Sequence, residues 1–230
     1  MPGGPPAAGE SLGLDGCATR EQIPRDGSRP DATMGIMSSR LRAIARDTVA
    51  IVQRGGYTSP AGRWVHLADD VTHAVANTRL YAYHRAQGDL RYSDRVIHSP
   101  GVPVFRDDKG RMLDEPYRVA FLTSAAPNAG VIARNQPQLA DSVPAVLRER
   151  AVRVLDVAEA HGHRRLVLGA WGCGVFGNDP GLVADAFARA LATRNRFDQV
   201  HFAVLDRHPG TPAYTAFARV FSSRESAVSR

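Results

Sequence analysis

Short apolar runs alternate with amphipathic stretches along the second half of the chain. The runs Tyr117–Ser124, Arg165–Ala170 and Gln199–Asp206 have the length and apolar content of strands. Between them, apolar residues recur at every third or fourth position from Ser142 to His161 and again from Pro180 onward, which predicts two helices. This alternation predicts an α/β fold in which ligands bind beyond the carboxyl ends of the strands.

The two helices present apolar faces that we expect to form the core. Gly162 suits the C-terminal stop of the first helix, and Asp179 followed by Pro180 suits the start of the second. The inward residues should be Leu147, Ala151, Val154, Leu155 and Ala158 in the first helix and Val183, Ala186, Phe187, Ala190 and Leu191 in the second.

The first half of the chain mixes helical periodicity with turn signals, and a last short helix follows the final strand. The predicted elements are a helix from Ser38 or Ser39 to Arg54, a hairpin across Ser59–Gly62, helices over Asp69–Ala76 and Leu80–Gln87, extended runs at Arg95–His98 and Val102–Phe105, a turn at Asp107–Gly110, and a helix over Pro212–Val220.

Composition divides the chain into three parts. Residues 1–36 are rich in glycine and proline and poor in large apolar side chains, so we expect a disordered tail there. Residues 37–220 should form one folded domain, and residues 221–230 a frayed tail.

Several protein classes are disfavoured by the sequence. No apolar run is long enough for a membrane span, and the N-terminus lacks the features of a secretory signal. Cys17 falls in the tail and Cys173 in a glycine-rich loop, so a disulfide is not expected and a reducing cytoplasm is the natural location. We expect a monomer that uses no metal and no cofactor.

The charge is basic, with a formal net charge of +6 and a pI near 9.9. A basic chain can indicate a nucleic-acid partner. Here the basic residues are arginines, apart from Lys109, and they are scattered among acidic residues rather than gathered with aromatic residues in a stripe. Nucleic acid is therefore not the expected partner.

A glycine-rich loop follows the strand that ends near Gly169. Glycines allow positive φ and let backbone N–H groups approach a ligand, and successive N–H groups before a helix form a nest for phosphate oxygens. The predicted ligand-binding residues are Gly172, Cys173, Gly174, Val175, Phe176, Gly177 and Asn178.

Two other interpretations of this loop are less well supported by the sequence. A tight strand-to-helix turn also uses glycines, but four of them within nine residues exceed what a turn needs. Cys173 could be a nucleophile near a helix start, but no histidine or asparagine follows at a recognisable spacing. We therefore favour the binding of a ligand that carries phosphate groups, such as a nucleotide.

The segment GAWGCGVFGNDP resembles the second phosphate-binding loop of the bacterial-type poly(ADP-ribose) glycohydrolases, a branch of the macrodomain fold. The segments LRAIARDTVAIVQRGGYTSPAGR, YSDRVIHSPGVPVFRDDKG and YRVAFLTSAAPNAGVIARNQP are similar to that family as well, over residues 38–208 in all. The resemblance implies a three-layer α/β/α macrodomain with a mixed sheet. It also implies that Val175 and Phe176 contact the diphosphate and terminal ribose of ADP-ribose.

The family's catalytic segment has no counterpart here. That segment is a glycine triplet followed by Gln-Glu-Glu, whose second glutamate acts as the general acid. The chain has neither the triplet nor a glutamate pair, and the break falls between Tyr81 and Ala82. The missing piece would include a core strand and the first phosphate loop. Asp69 and Asp70 are better interpreted as a helix cap and its solvated neighbour than as replacement carboxylates.

The sequence therefore favours a protein that binds ADP-ribose or an ADP-ribosylated macromolecule and has no catalytic residue of its own. One alternative is an active glycohydrolase that removes ADP-ribose from modified macromolecules. The other is an internally deleted gene product without function.

Overall fold

The structure, a computed structural model, describes residues 32–67 and 79–225. Contacts divide the chain into two units, Met1–Asp47 and Thr48–Arg230. Helix α1, Ala32–Gln53, begins in the first unit and ends in the second. It begins ahead of the predicted cap at Ser38 or Ser39, so that prediction is wrong: both serines lie inside the helix, where their moderate propensity does not stop it.

The hairpin after α1 is confirmed. Strand β1, Gly56–Thr58, pairs antiparallel with β2, Trp64–His66. Helix α2, Arg79–Gln87, confirms the helix predicted from Leu80. The helix predicted over Asp69–Ala76 lies outside the described residues.

Strands β3, Val96–Arg106, and β4, Met112–Ser124, form a long antiparallel hairpin. The sequence predicted two short runs where β3 is one strand, because Pro100 and Gly101 suggested an interruption. The chain takes up this interruption as a shift in pairing between Ser99 and Val102, with φ of +59° at Gly101.

The second half follows the predicted order. Its elements are α3 (Ala129–Asn135), a 3₁₀ turn (Pro137–Ser142), α4 (Val143–Ala160), β5 (Arg165–Gly169), α5 (Pro180–Ala192), β6 (Gln199–Ala203) and α6 (Pro212–Glu225). The sequence interpretation missed α3, which Asn128 caps through the N–H of Val131. It also made β6 three residues too long and α6 too short.

The core is packed mainly by α4 and α5. All five residues predicted inward on α4 are buried, as are four of the five on α5, and Leu191 packs half-buried against the same cluster. A second, smaller core cluster lies at the β1–β2 hairpin. Its buried residues are Ile51, Val52, Tyr57, Leu67 and Phe105. The predicted helical faces are confirmed.

The described strands form three two-stranded sheets, β1–β2, β3–β4 and β5–β6, of which the last is parallel. The fold is α/β, as predicted. The apolar run Arg165–Ala170 is typical of a buried strand, but β5 is covered on one face only. Leu166 is 9% exposed, whereas Val167 on the opposite face is 75% exposed, and His201 beside it on β6 is also exposed.

Candidate functional site

The glycine-rich loop runs from Ala170 to Asp179, between the carboxyl end of β5 and the start of α5. Two of its glycines have positive φ, +73° at Gly172 and +65° at Gly177. A Cβ on Gly172 would lie 2.5 Å from the Cβ of Ala126 and 2.5 Å from Nδ2 of Asn178, so this position requires glycine. Gly174 has neither positive φ nor a neighbour within 4 Å of a built Cβ, so its side faces open space.

Asn178 supports the loop from beneath. Its side chain is buried, and Nδ2 donates to the carbonyl of Pro127 at 2.8 Å and to that of Gly172 at 3.0 Å. Its backbone N–H also donates to Gly172. The predicted site residue Asn178 therefore holds the loop closed rather than exposing its side chain to a ligand.

The backbone N–H groups of the loop divide into two sets. Those of Trp171, Cys173, Gly177 and Asn178 donate to carbonyls within the loop or just before it. Among the described residues, no acceptor is found for the three successive N–H groups of Gly174, Val175 and Phe176. They lie at the tip of the loop, where the Val175 residue is 98% exposed. Successive free N–H groups of this kind suit an anion.

The loop leads directly into α5. Asp179 Oδ1 accepts from the N–H of Leu182 at 2.9 Å, and Pro180 occupies the first turn, as predicted. The positive end of the helix dipole therefore lies next to the loop, which adds to its preference for negative charge.

An aromatic wall stands beside the loop. The ring of Phe176 lies 6.0 Å from that of Tyr92, and Tyr92 lies 5.1 Å from His84. Tyr92 has φ of +62°, which is unusual for a residue with a side chain and is found where surrounding structure imposes it. Sequence reasoning did not identify Tyr92, since nothing in its local pattern brings it to a loop more than eighty residues away.

Arg150 is the buried charge under this site. It lies on the inward face of α4, is 2% exposed, and donates through Nη1 to the carbonyls of Arg91 and Ala125, both at 2.7 Å. Nε donates to Asp94 at 2.9 Å. Arg150 thereby holds the segment that carries Tyr92 and the segment that packs against Gly172. The sequence does contain a signal for this role, because Arg150 falls on the apolar face of a predicted helix. The sequence analysis did not identify Arg150.

The side chain of Cys173 is partly buried and packs against the main core. Burial, followed by the nearby Asp179 carboxylate, raises the pKa of its thiol to about 11. A thiol with this pKa is protonated at neutral pH and is a poor nucleophile. The indole of Trp171 packs close by against Phe187, and its Nε1 donates to the carbonyl of Ser124 at 3.0 Å, which ties the loop to the end of β4.

The described carboxylates do not gather at the loop as an acid–base pair. Glu115 is exposed and pairs with Arg63 at 3.6 Å, and Glu149 is exposed on α4. Glu159, also on α4, is mostly covered and lies 3.7 Å from Arg194. Asp69 and Asp70 lie outside the described residues. Within the described ranges, no group of three or more His, Cys, Asp or Glu residues is arranged to hold a metal ion.

The α/β fold, with a glycine-rich loop between a parallel strand and a helix, defines a macrodomain-like protein. The profile of the microbial-type PARG catalytic domain matches residues 45–83 and 79–107. The poly(ADP-ribose) glycohydrolase from Thermomonospora curvata bound to the inhibitor ADP-HPD is 39% identical, over 78% of this chain and 98% of that chain, with a TM-score of 0.70. The chain belongs to the microbial-type poly(ADP-ribose) glycohydrolase family.

A second solved relative has a longer chain. The poly(ADP-ribose) glycohydrolase from Deinococcus radiodurans in complex with ADP-ribose is 47% identical, with a TM-score of 0.62, over 64% of this chain and 59% of that chain. The present chain thus spans less than two thirds of that relative. No curated protein sequence matches it. None of the described helices is long and apolar enough to cross a lipid bilayer.

Proposed function

We propose that the protein binds ADP-ribose through the loop Gly172–Asn178 and does not hydrolyse its linkages. The observation that carries this proposal is the run of three successive free N–H groups at Gly174, Val175 and Phe176. A diphosphate offers oxygens at the spacing of such a nest, and hydrogen bonds to charged acceptors contribute more than neutral ones. The glycohydrolase from Deinococcus radiodurans was crystallised in complex with ADP-ribose, which supports the choice of ligand.

Phe176 and Tyr92 supply the apolar side of the proposed site. Their rings are half-buried and 6.0 Å apart, so they present a wall next to the free N–H groups. A ribose or a base packs against such a wall while the phosphates bind the loop. The loop itself is rigid, because Asn178 closes it and Gly172 fits tightly under it. Rigid donors lose little entropy on binding.

The absence of hydrolysis is proposed from the break in the family pattern. The two segments matched by the family profile meet and overlap at residues 79–83, where the sequence predicts that the catalytic segment is missing. The lack of pairing between the described β3–β4 and β5–β6 sheets is what a missing core strand would leave. General acid catalysis typically contributes about 10²–10⁴-fold, and no described glutamate lies in or beside the loop.

Calorimetric titration of ADP-ribose into the parent and three variants tests the proposal. Gly174→Val places a side chain in the open space at the three free N–H groups, and it causes no strain because φ is not positive there. This variant should bind ADP-ribose about tenfold to a hundredfold more weakly. That loss corresponds to roughly 1.5–3 kcal/mol, the contribution of one hydrogen bond to a charged group. Phe176→Ala should weaken binding less. Ala160→Val, exposed at the end of α4, is the matched control and should bind like the parent.

A second assay measures the release of ADP-ribose from a modified protein, with none expected. Release that is abolished by changing one carboxylate of this chain would establish the glycohydrolase alternative. If the folded parent protein binds no ADP-ribose, that result supports the interpretation of the chain as a non-functional, internally deleted gene product. If Gly174→Val binds as well as the parent, the ligand site lies elsewhere.

A further inference from the structure

Three histidines meet where strand β3 passes the turn between α4 and β5. His98 lies near the start of β3, and His161 and His163 lie on either side of Gly162 in the turn. The ring of His98 stacks on that of His161, with centroids 3.7 Å apart and planes 18° apart. The Nε2 atom of His98 also lies 2.9 Å from Nε2 of His163, within hydrogen-bond distance. We call these three side chains the histidine cluster.

The turn that carries two of these histidines is fixed by its backbone. His161 is the C-cap of α4, and the next residue, Gly162, has φ of +73°. The N–H of Gly162 donates to the carbonyl of Glu159 at 2.9 Å, and that of His163 donates to the carbonyl of Ala158 at 3.0 Å. This pair of bonds is the Schellman motif, which commonly ends helices. The sequence His-Gly-His therefore presents its two imidazoles from a well-defined corner.

His98 meets this corner from the sheet. Its register partner on β4 is Leu122, whose side chain packs against the main core. Directly opposite residues of paired strands share a face, so half-buried His98 lies on the face of the hairpin that packs against α4. The histidine cluster therefore joins the β3–β4 hairpin to the corner between α4 and β5.

The bond between His98 and His163 limits how many protons the two rings can carry. A neutral imidazole donates through one nitrogen and accepts through the other, whereas a protonated imidazole donates through both. One of the two Nε2 atoms must accept, so the bond cannot form when both rings are charged. A charge on His161 would in addition lie face to face with the ring of His98. The arrangement is therefore stable only with few protons on the cluster.

The protonation of His98 is linked to the stability of the fold. Burial, followed by the positive charges of His161 and His163, holds the pKa of His98 below its ordinary value of 6.5. The unfolded chain then binds this proton more readily than the folded chain does, so acid favours unfolding. The stabilisation is fully present above the ordinary pKa of 6.5, and it is lost as the pH falls through the lower pKa of the folded state.

The acidic side chains near the cluster are already paired. Asp198 makes two hydrogen bonds with Arg164, and Glu159 of α4 lies 3.7 Å from Arg194. Neither acid is placed to neutralise a protonated imidazole, and no carboxylate contributes to the pKa of His98. The charged residues that share a cleft with His163 are Arg118 of β4, Arg164 and Arg165 at the start of β5, and Asp198.

We propose that the histidine cluster is a pH-sensitive clasp between the β3–β4 hairpin and the corner that joins α4 to β5. At neutral pH the stacked and hydrogen-bonded rings hold the hairpin in place. In mild acid the protonated rings repel each other and the hairpin loosens at this point, because histidine titrates in this pH range. The clasp does not depend on which ligand the glycine-rich loop binds.

Urea denaturation between about pH 8 and about pH 5, the range in which histidine titrates, tests the clasp. The urea midpoint of the parent should fall as the pH falls. His98→Gln keeps a donor for His163 but cannot take up a proton, so its midpoint should fall by about half as much or less. His201→Gln removes an exposed histidine from β6 and is the matched control, which should follow the parent. EDTA in every buffer keeps metal ions off the imidazoles.

Hydrogen exchange shows where the loosening occurs. After correction for the intrinsic effect of pH on exchange, mild acid should speed the exchange of the amides of β3 in the parent. The acceleration should be smaller in His98→Gln. The amides of α5, which carries no histidine, are the internal reference.

Each measurement has an outcome that overturns the proposal. The first is a urea midpoint that depends on pH in His98→Gln as it does in the parent. The second is an acceleration of exchange in acid that is uniform along the chain instead of concentrated in β3. If His98→Gln does not fold, NMR titration of the imidazole signals of the parent decides. His98 should then take up its proton below pH 6.5, and titration at or above that value overturns the clasp.

Discussion

Two buried polar side chains, Asn178 and Arg150, hold the candidate site in shape from beneath. Asn178 closes the glycine-rich loop on itself, and Arg150 binds the carbonyls of the two segments that pack against that loop. A buried donor with its acceptors in place costs little, whereas acceptors left unpaired after its removal cost about 1–3 kcal/mol each. Stability and site geometry are therefore linked at these two residues.

Replacing Arg150 with methionine tests this link. Arg150→Met keeps the apolar stem but leaves the carbonyls of Arg91 and Ala125 without their donor, so we expect the free energy of unfolding to fall by about 2–4 kcal/mol. Urea denaturation measures the change. Arg148→Met, exposed on the same helix, is the control and should stay within about 0.5 kcal/mol of the parent. Equal effects of the two changes would mean that the bonds of Arg150 do not hold the structure together.

At the scale of elements, strand β5 has one covered face and one open face. Leu166 packs into the main core with residues of α4 and α5, while Val167 faces outward. The strand has the apolar sequence of one buried on both faces, which is typical of parallel sheets covered by helices on each side. Its open face is therefore a departure from the pattern that its residues suggest.

A pair of alanine substitutions within β5 measures this asymmetry. Leu166→Ala should lower the free energy of unfolding by about 2–5 kcal/mol, because it leaves a cavity in the core. Val167→Ala should change it by about 0.5 kcal/mol or less, because the side chain is already in water. Thermal or urea denaturation of both variants gives the comparison. A large loss for Val167→Ala would show that something covers this face in solution.

At the scale of the whole molecule, described structure begins at Ala32, inside the region predicted as tail. The first 31 residues are rich in glycine and proline and include few of the large apolar side chains whose burial stabilises a fold. The folded part is then expected to be stable without them.

Deleting residues 1–31 should shift the thermal midpoint by no more than about 2 °C, which corresponds to less than about 1 kcal/mol for a chain of this size. A deeper deletion that starts the chain at Thr48 is the comparison. It removes most of α1 and leaves a helical remnant too short to be stable alone, so the midpoint should fall clearly. Differential scanning calorimetry distinguishes the cases. A large drop for the shorter deletion would contradict the prediction of a dispensable tail.

The sequence by itself determined the α/β class, the inward faces of α4 and α5, the cap at Asp179 and the position of the glycine-rich loop. These follow from local periodicity, from turn chemistry and from capping, which act over a few neighbouring residues. Tertiary structure alone decided that Tyr92 meets Phe176, that Arg150 joins two distant segments, that Asn178 points inward, and that Val167 is open to solvent. Each of these depends on contacts between residues far apart in the chain, or on what is absent from one face of a sheet, and neither leaves a periodic signal in the local sequence.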